Sequence, residues 1–229
     1  IYYRPISNTK YIRGICFAFI CVFGGVATLL LLLTMFTHVF TSSAPFNILH
    51  YLFYLLTLLV PTIIFILGLS FFMVTWIKNH ILSIIILLGY VFFTVFYITD
   101  YQSGLLDPFG ITLPNTFSDI TGHPNITNYL LQRGCWLFLG LGLIQLTVLN
   151  FPRLPNHPSK KQRLYITVTL ITIGLLSGIT FFISNQCSLS LRHTYSDIYN
   201  KFTSAPKATL LSQNIKYEQT HKKMSVNSE

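Results

Sequence analysis

The residues best placed to do chemistry lie close together. Asp100, Asp107 and Asp119 share the segment 100–128 with Pro108, Pro114 and Pro124, with Gly104, Gly110 and Gly122, and with the aromatic residues Tyr101, Phe109 and Phe117. Arg133 follows, a little inside an apolar run. A guanidinium at such depth is costly unless it snorkels or pairs, and Asp100 and Asp107 are the nearest acidic groups on the same side. Two roles fit: a structural ion pair between neighbouring spans, or contact with an anionic substrate or lipid headgroup. The density of proline and glycine in 100–128 implies turns and short interfacial helices, serving as a substrate rim or outer gate, or as a cap over helix ends.

Nothing resembling an enzyme site accompanies these residues. There is no phosphate loop, nucleophile elbow, zinc-binding His-Glu-x2-His or pair of catalytic carboxylates. The histidines at 38, 50, 80, 123, 157, 193 and 221 are scattered without ligand spacing. Cys16, Cys21 and Cys135 fall in apolar runs and Cys187 at the end of one, so all four read as small packing residues. The sequon Asn125-Ile126-Thr127 matters only in a secretory pathway. No catalytic residue, cofactor or metal is expected.

The elements that must carry these residues follow from charge. The 229 residues are 52% hydrophobic and 9% charged, which excludes disorder, a collagen-like chain, a disulfide scaffold and an ordinary cytosolic enzyme. No Asp, Glu, Lys or Arg occurs between Arg13 and Lys78, nor in 79–99, 134–152 or 164–191. A helix crosses a bilayer with about 20 apolar residues. The expected fold is therefore an all-α polytopic membrane protein with about five transmembrane helices, at 14–38, 49–76, 81–99, 129–150 and 164–184. Pro61 lies inside the second and should kink it, as a fixed bend or a moving hinge. The pair Gly174 and Gly178 and the pair Gly140 and Gly142 mark faces slim enough for close helix packing. The formal charge of +9 does not point to nucleic acid, because the basic residues sit between apolar runs instead of on one exposed face; a lipid bilayer is the expected surroundings.

Basic residues also orient the chain. Arg4, Lys10 and Arg13 precede the first span, Lys78 follows the second, and Arg153, Lys160, Lys161 and Arg163 follow the fourth, whereas 40–48 and 100–128 hold no Lys or Arg. The positive-inside rule then puts the start in the cytoplasm and the tail after 184 outside. The first apolar run is roughly twice the length of a signal-peptide core and is followed by no small-residue cleavage site. In the tail, 189–202 suits a helix with Tyr195, Ile198, Tyr199 and Phe202 on one face. The runs 208–217 and 223 onward suit strands about a polar turn at 219–222, the start of an extracytoplasmic β-rich domain. The chain begins with Ile1 and stops at Glu229 inside an alternating run, so we read it as a fragment, with a transmembrane domain over 1–185 and part of a second domain over 186–229.

The opening Tyr3-Arg4-Pro5-Ile6-Ser7-Asn8-Thr9-Lys10-Tyr11-Ile12-Arg13-Gly14 resembles the segment that introduces the third membrane helix of ABC-2-type transporter permeases from the cytoplasmic side. It departs from them at Arg13, where that family more often has Gly before Lys. Leu106-Asp107-Pro108-Phe109-Gly110, and Gln132-Arg133 before an apolar helix ending in Phe151-Pro152-Arg153, look like a bacterial subset fused to an extracytoplasmic domain resembling zinc aminopeptidases. Those permeases have six helices and a structured outer loop between the fifth and sixth. With two helices missing ahead of Ile1, the first four spans here correspond to helices three to six, and the fifth is extra and delivers the tail outside.

The resemblance implies a permease subunit in the bacterial inner membrane, of unknown substrate. It would dimerise with a second permease subunit and pair with a separate cytoplasmic ABC ATPase subunit. Arg4, Pro5, Lys10 and Arg13 would be coupling or positioning residues on the ATPase-facing side, and any peptidase activity would lie beyond residue 229. The competing expectation is a membrane anchor that holds an extracytoplasmic peptidase-like or binding domain and transports nothing; a sensor or assembly protein is a third.

Overall fold

The computed structural model describes residues 7–41, 46–98, 101–112, 117–118, 122–151, 160–203, 215–220 and 223–228. Its elements are α1 (Asn8–Thr41), α2 (Ile48–Tyr54), a π-helical segment (Leu55–Leu59), α3 (Val60–Ile77), α4 (His80–Phe93) with a π turn (Thr94–Ile98), a 3-10 turn (Tyr101–Gly104), α5 (Ile126–Asn150) and α6 (Lys160–Phe202). Among the described residues, five continuous helical stretches are long and apolar enough to cross a membrane. This is an all-α multi-pass membrane protein. The chain forms two compact units, 1–187 and 188–229.

Helix boundaries follow local chemistry. Ser7 caps α1, its Oγ accepting from Lys10 N at 3.4 Å, so the helix begins well before 14, inside what charge marks as a cytoplasmic flank. Lys78 takes a left-handed φ of 57° that closes α3, and Asn79 Oδ1 accepts from Ile81 N and Leu82 N at 3.1 and 3.3 Å to start α4. Between Leu59 and Pro61 the helix returns from π to α geometry. Pro61 has no N–H to give, and a π turn just before it is one way a membrane helix absorbs that missing bond. The span expected at 164–184 and the helix expected at 189–202 are one 43-residue helix, α6; neither Gly nor Pro lies between Ile179 and Pro206 to break it.

Inside unit 1, α3 and α5 touch backbone to backbone. A Cβ on Gly68 would stand 2.4 Å from the Gly140 carbonyl oxygen, and one on Gly140 would stand 2.6 Å from Phe65 Cα. In lipid, where apolar side chains gain nothing by leaving solvent, such close approach and its dispersion contacts hold helices together. Phe65 packs edge-on against Trp136, ring centroids 4.5 Å apart. On the other side of α5 lies α6: a Cβ on Gly174 would meet Leu139 N and Cγ at 3.1 Å, and Ser177 Oγ donates to the Leu131 carbonyl at 2.7 Å.

α1 is buried against this pair near its start, and Phe19 reaches Phe71 of α3, ring centroids 6.2 Å apart. Asn8, Ile12 and Cys16 form its buried stripe, with Ile12 and Cys16 against Ile144 and Val148, and Asn8 Nδ2 donates to the Phe151 carbonyl at 2.8 Å. Higher up, α1 exposes Phe23, Val26, Leu30, Leu33 and Phe36.

Unit 2 contains a hairpin, β1 (Ile215–Thr220) antiparallel to β2 (Lys223–Ser228), in register from Ile215 opposite Ser228 to Thr220 opposite Lys223. β2 starts at 223 as expected, β1 runs on to Thr220 into the turn expected at 219–222, and 208–214 lie outside the described residues.

Candidate functional site

The segment between α4 and α5 is folded and anchored in the bundle. Asp107 organises it: Oδ1 accepts from Phe109 N at 3.0 Å and Gly110 N at 2.9 Å, and Oδ2 accepts from Thr112 N at 2.7 Å. One carboxylate thus wraps the chain into an Asx-type turn and neutralises donors that a bilayer edge would leave unpaired. Gly104, at φ 84°, and Gly110, at φ 76°, supply the left-handed corners.

Two neighbours on α5 hold this turn from below. Arg133 is 2% exposed; its Nη2 donates to the main-chain carbonyl of Asp107 at 2.8 Å and its Nη1 to that of Pro108 at 3.3 Å. Gln132, fully buried, donates through Nε2 to the Gly104 carbonyl. From α3, the Thr62 hydroxyl lies 3.0 Å from the Pro108 carbonyl. Tyr129, also fully buried, bonds through its hydroxyl to Thr57 Oγ1 at 2.7 Å, and Thr57 Oγ1 donates on to the Phe53 carbonyl at 2.7 Å. α5 is thus bonded to the loop through Gln132 and Arg133 and to the π segment through Tyr129, and such bonds are strengthened where water is excluded.

The expected ion pair therefore takes another form. Structure brings Arg133 to Asp107, but it is the Asp107 main chain that receives the guanidinium, because the carboxylate is already taken up by loop N–H groups. A guanidinium presents several N–H donors in a fixed fork, and two adjacent carbonyls suit that fork. Asp100, the other candidate partner, lies outside the described residues, as do Arg4 and Pro5. Lys10 and Arg13 are described and exposed, on the side of α1 away from its buried stripe.

Four residues of this arrangement escaped the sequence reading as site residues: Gln132, Tyr129, Thr57 and Thr62. Gln132 carried a usable signal, an amide inside an apolar span, which by the same reasoning as Arg133 must find a partner. The others are residue types common in membrane helices, and only their neighbours mark them out.

A second feature is an apolar cleft between α1 and the α2–π segment, with a volume of about 600 Å³ and Phe117 at its rim. At its upper end His50 stacks on Phe117, centroids 3.6 Å apart, with His123 5.8 Å away. Histidines distant in sequence are neighbours here, yet among the described residues no three His, Cys, Asp or Glu come together as a metal site.

No family model, no curated protein and no solved structure matches the chain.

Proposed function

We propose that the chain is the membrane-spanning permease subunit of an ATP-driven transporter of the ABC-2 type, working in the bacterial cytoplasmic membrane as a dimer with a second permease subunit and with a separate cytoplasmic ATPase. The observation that carries the reading is the folded cap between α4 and α5. It is held from inside the bundle by Arg133 and Gln132, in the position where permeases of this type keep a structured outer loop before their last core helix. A loop serving only to connect two spans needs no buried arginine, whose desolvation is worth bearing only when it fixes a geometry.

The cytoplasmic end supports the same reading. Asn8 ties the start of α1 to Phe151 at the end of α5, while Lys10 and Arg13 remain exposed. Movement imposed on Lys10 and Arg13 by an ATPase would pass along α1 into α5, and α5 carries Arg133 and the outer cap. Arg4 and Pro5, just ahead of the helix, belong to the same proposed docking surface. The β-rich extracytoplasmic domain belongs to the proposal as well; the hairpin at 215–228 would be its first element.

Affinity purification of the full-length protein in mild detergent, with an ATPase assay and mass identification of copurifying chains, tests this. A nucleotide-binding subunit should come down, and ATP turnover should fall when Arg4 or Lys10 is replaced by Ala. A protein that purifies alone and without ATP turnover is the membrane anchor of the competing reading, with its function in the outer domain.

A further inference from the structure

The upper part of the α1–α2 hairpin is packed differently from the rest of unit 1. The buried residues of α1 are Asn8, Ile12 and Cys16, all near its start, and among the described residues neither α2 nor the π segment has a buried one. α3, by contrast, buries Pro61, Phe65, Leu67 and Gly68. The change from tight to loose packing falls at one level in both helices, since a cavity of about 280 Å³ is lined by Phe23, Val26 and Ala27 of α1 and by Leu59, Ile63 and Ile66 of the second span.

At that same level both helices are weakened. Gly24 and Gly25 sit side by side in α1, and a Cβ on either would meet nothing within 4 Å among the described residues. No close neighbour accounts for them, so their effect is on the helix itself, which glycine loosens. Thr28 Oγ1 donates to the Gly24 carbonyl at 2.7 Å, a side-chain bond that competes with the helix's own and bends it. Across the cavity the second span returns from π to α geometry between Leu59 and Pro61, and Pro61 lacks the N–H that would meet the Thr57 carbonyl. Thr57 Oγ1 in turn donates to the Phe53 carbonyl at 2.7 Å, as Thr28 does in α1. Above these points His38 and Tyr51 are bonded side chain to side chain, and Phe46 lies against both rings, centroids 6.0 and 5.8 Å away. The top of α1 and α2 are thereby held together.

We propose that the upper α1–α2 hairpin is an arm hinged at Gly24–Thr28 and at Leu59–Pro61, and that the Tyr129 hydroxyl latches it to α5. The latch is the 2.7 Å bond between Tyr129 and Thr57 Oγ1, supported by the stacking of His50 on Phe117. Below the hinges the close approach of Gly68 and Gly140 locks α3 to α5, so a swing of the arm opens the outer half of the bundle and leaves the inner half closed. In lipid the opened faces meet acyl chains as apolar as the leucines they leave, so the two positions differ by little more than the latch and the contacts around it. The device belongs to the bundle itself and requires no ATPase partner.

The test is double electron–electron resonance on the full-length protein in nanodiscs, with Cys21 and Cys187, the exposed cysteines, changed to Ser. Spin labels at Leu49→Cys on the arm and Ile183→Cys on α6, both exposed, report the swing; labels at Trp76→Cys on α3 and Tyr165→Cys on α6, also exposed, report the inner half. The arm pair should give a second, longer distance beside the main one, and the inner pair a single distance. Tyr129→Phe should raise the ratio of long to short distance about fivefold, the effect of one lost hydrogen bond, without altering the inner pair. Gly24→Ala with Gly25→Ala should lower the ratio about tenfold, because two alanines firm the turn that must bend. With hinge and latch both unaltered, a single arm distance as narrow as that of the inner pair overturns the proposal, and so does a Tyr129→Phe change that broadens both pairs alike. If the alanine pair leaves the distances alone and lowers the dimer fraction, the glycines admit a second copy and the hinge is again overturned. Copurification of an ATPase is read separately, and neither result decides the other.

Discussion

Arg133 donates to the main-chain carbonyl of Asp107 at 2.8 Å, while the carboxylate of the same aspartate accepts from Phe109, Gly110 and Thr112. The two side chains cooperate without touching: Asp107 shapes the turn that presents its own carbonyl, and Arg133 fills it. Arg133→Gln should therefore cost about 1–3 kcal/mol by leaving buried carbonyls unpaired, read as a lower melting temperature in detergent. Arg133→Lys should recover little, since an ammonium lacks the planar fork. In a double-mutant cycle with Asp107→Asn the losses should be coupled by about 0.5–3 kcal/mol; additive losses would show that the turn and its anchor are independent.

The glycines separate into two groups by what surrounds them. Gly68→Ala or Gly140→Ala must push α3 and α5 apart, since the new methyl would stand 2.4 or 2.6 Å from backbone atoms, and each should cost about 1–3 kcal/mol of overpacking. Gly24→Ala and Gly25→Ala meet nothing within 4 Å and should be neutral or stabilising by up to about 1 kcal/mol. Melting curves of the four variants side by side check this; equal effects in both groups would refute the close α3–α5 contact.

Release of the outer cap should be visible without unfolding the bundle. Gly104→Ala forces a side chain into φ 84° and within 2.9 Å of the Thr112 carbonyl oxygen, a strain of about 1–3 kcal/mol. Gln132→Leu removes the donor to the Gly104 carbonyl. Each should speed protease cleavage between 101 and 125 while the helices stay protected, and a digestion pattern like that of the unaltered protein would count against the anchoring role.

Orientation can be read with thiol chemistry. Charge counting places the Lys78 turn inside and the tail outside, and both Lys78 and Cys187 are exposed. With Cys21, the other exposed cysteine, changed to Ser, a membrane-impermeant maleimide should label Cys187 on intact cells. A cysteine introduced by Lys78→Cys, in a background where Cys187 is also Ser, should react only after permeabilisation. The opposite pattern would invert the topology and remove Lys10 and Arg13 from the cytoplasmic face.

The number of spans and the turn at Lys78 between the second and third were legible in the sequence by itself, because each depends on neighbours along the chain: apolar length against bilayer thickness, and the charge that interrupts it. The slim faces at Gly140 and Gly174 were legible for the same reason. Their partners were not. That Gly140 meets Gly68, that Arg133 takes carbonyls where a carboxylate was expected, and that His38, His50 and Tyr51 gather at one end of a cleft, all depend on which helix faces pack together. An apolar helix in lipid has little amphipathic pattern to announce its buried side, so local sequence leaves that choice open, and only the close packing of the tertiary structure decides it.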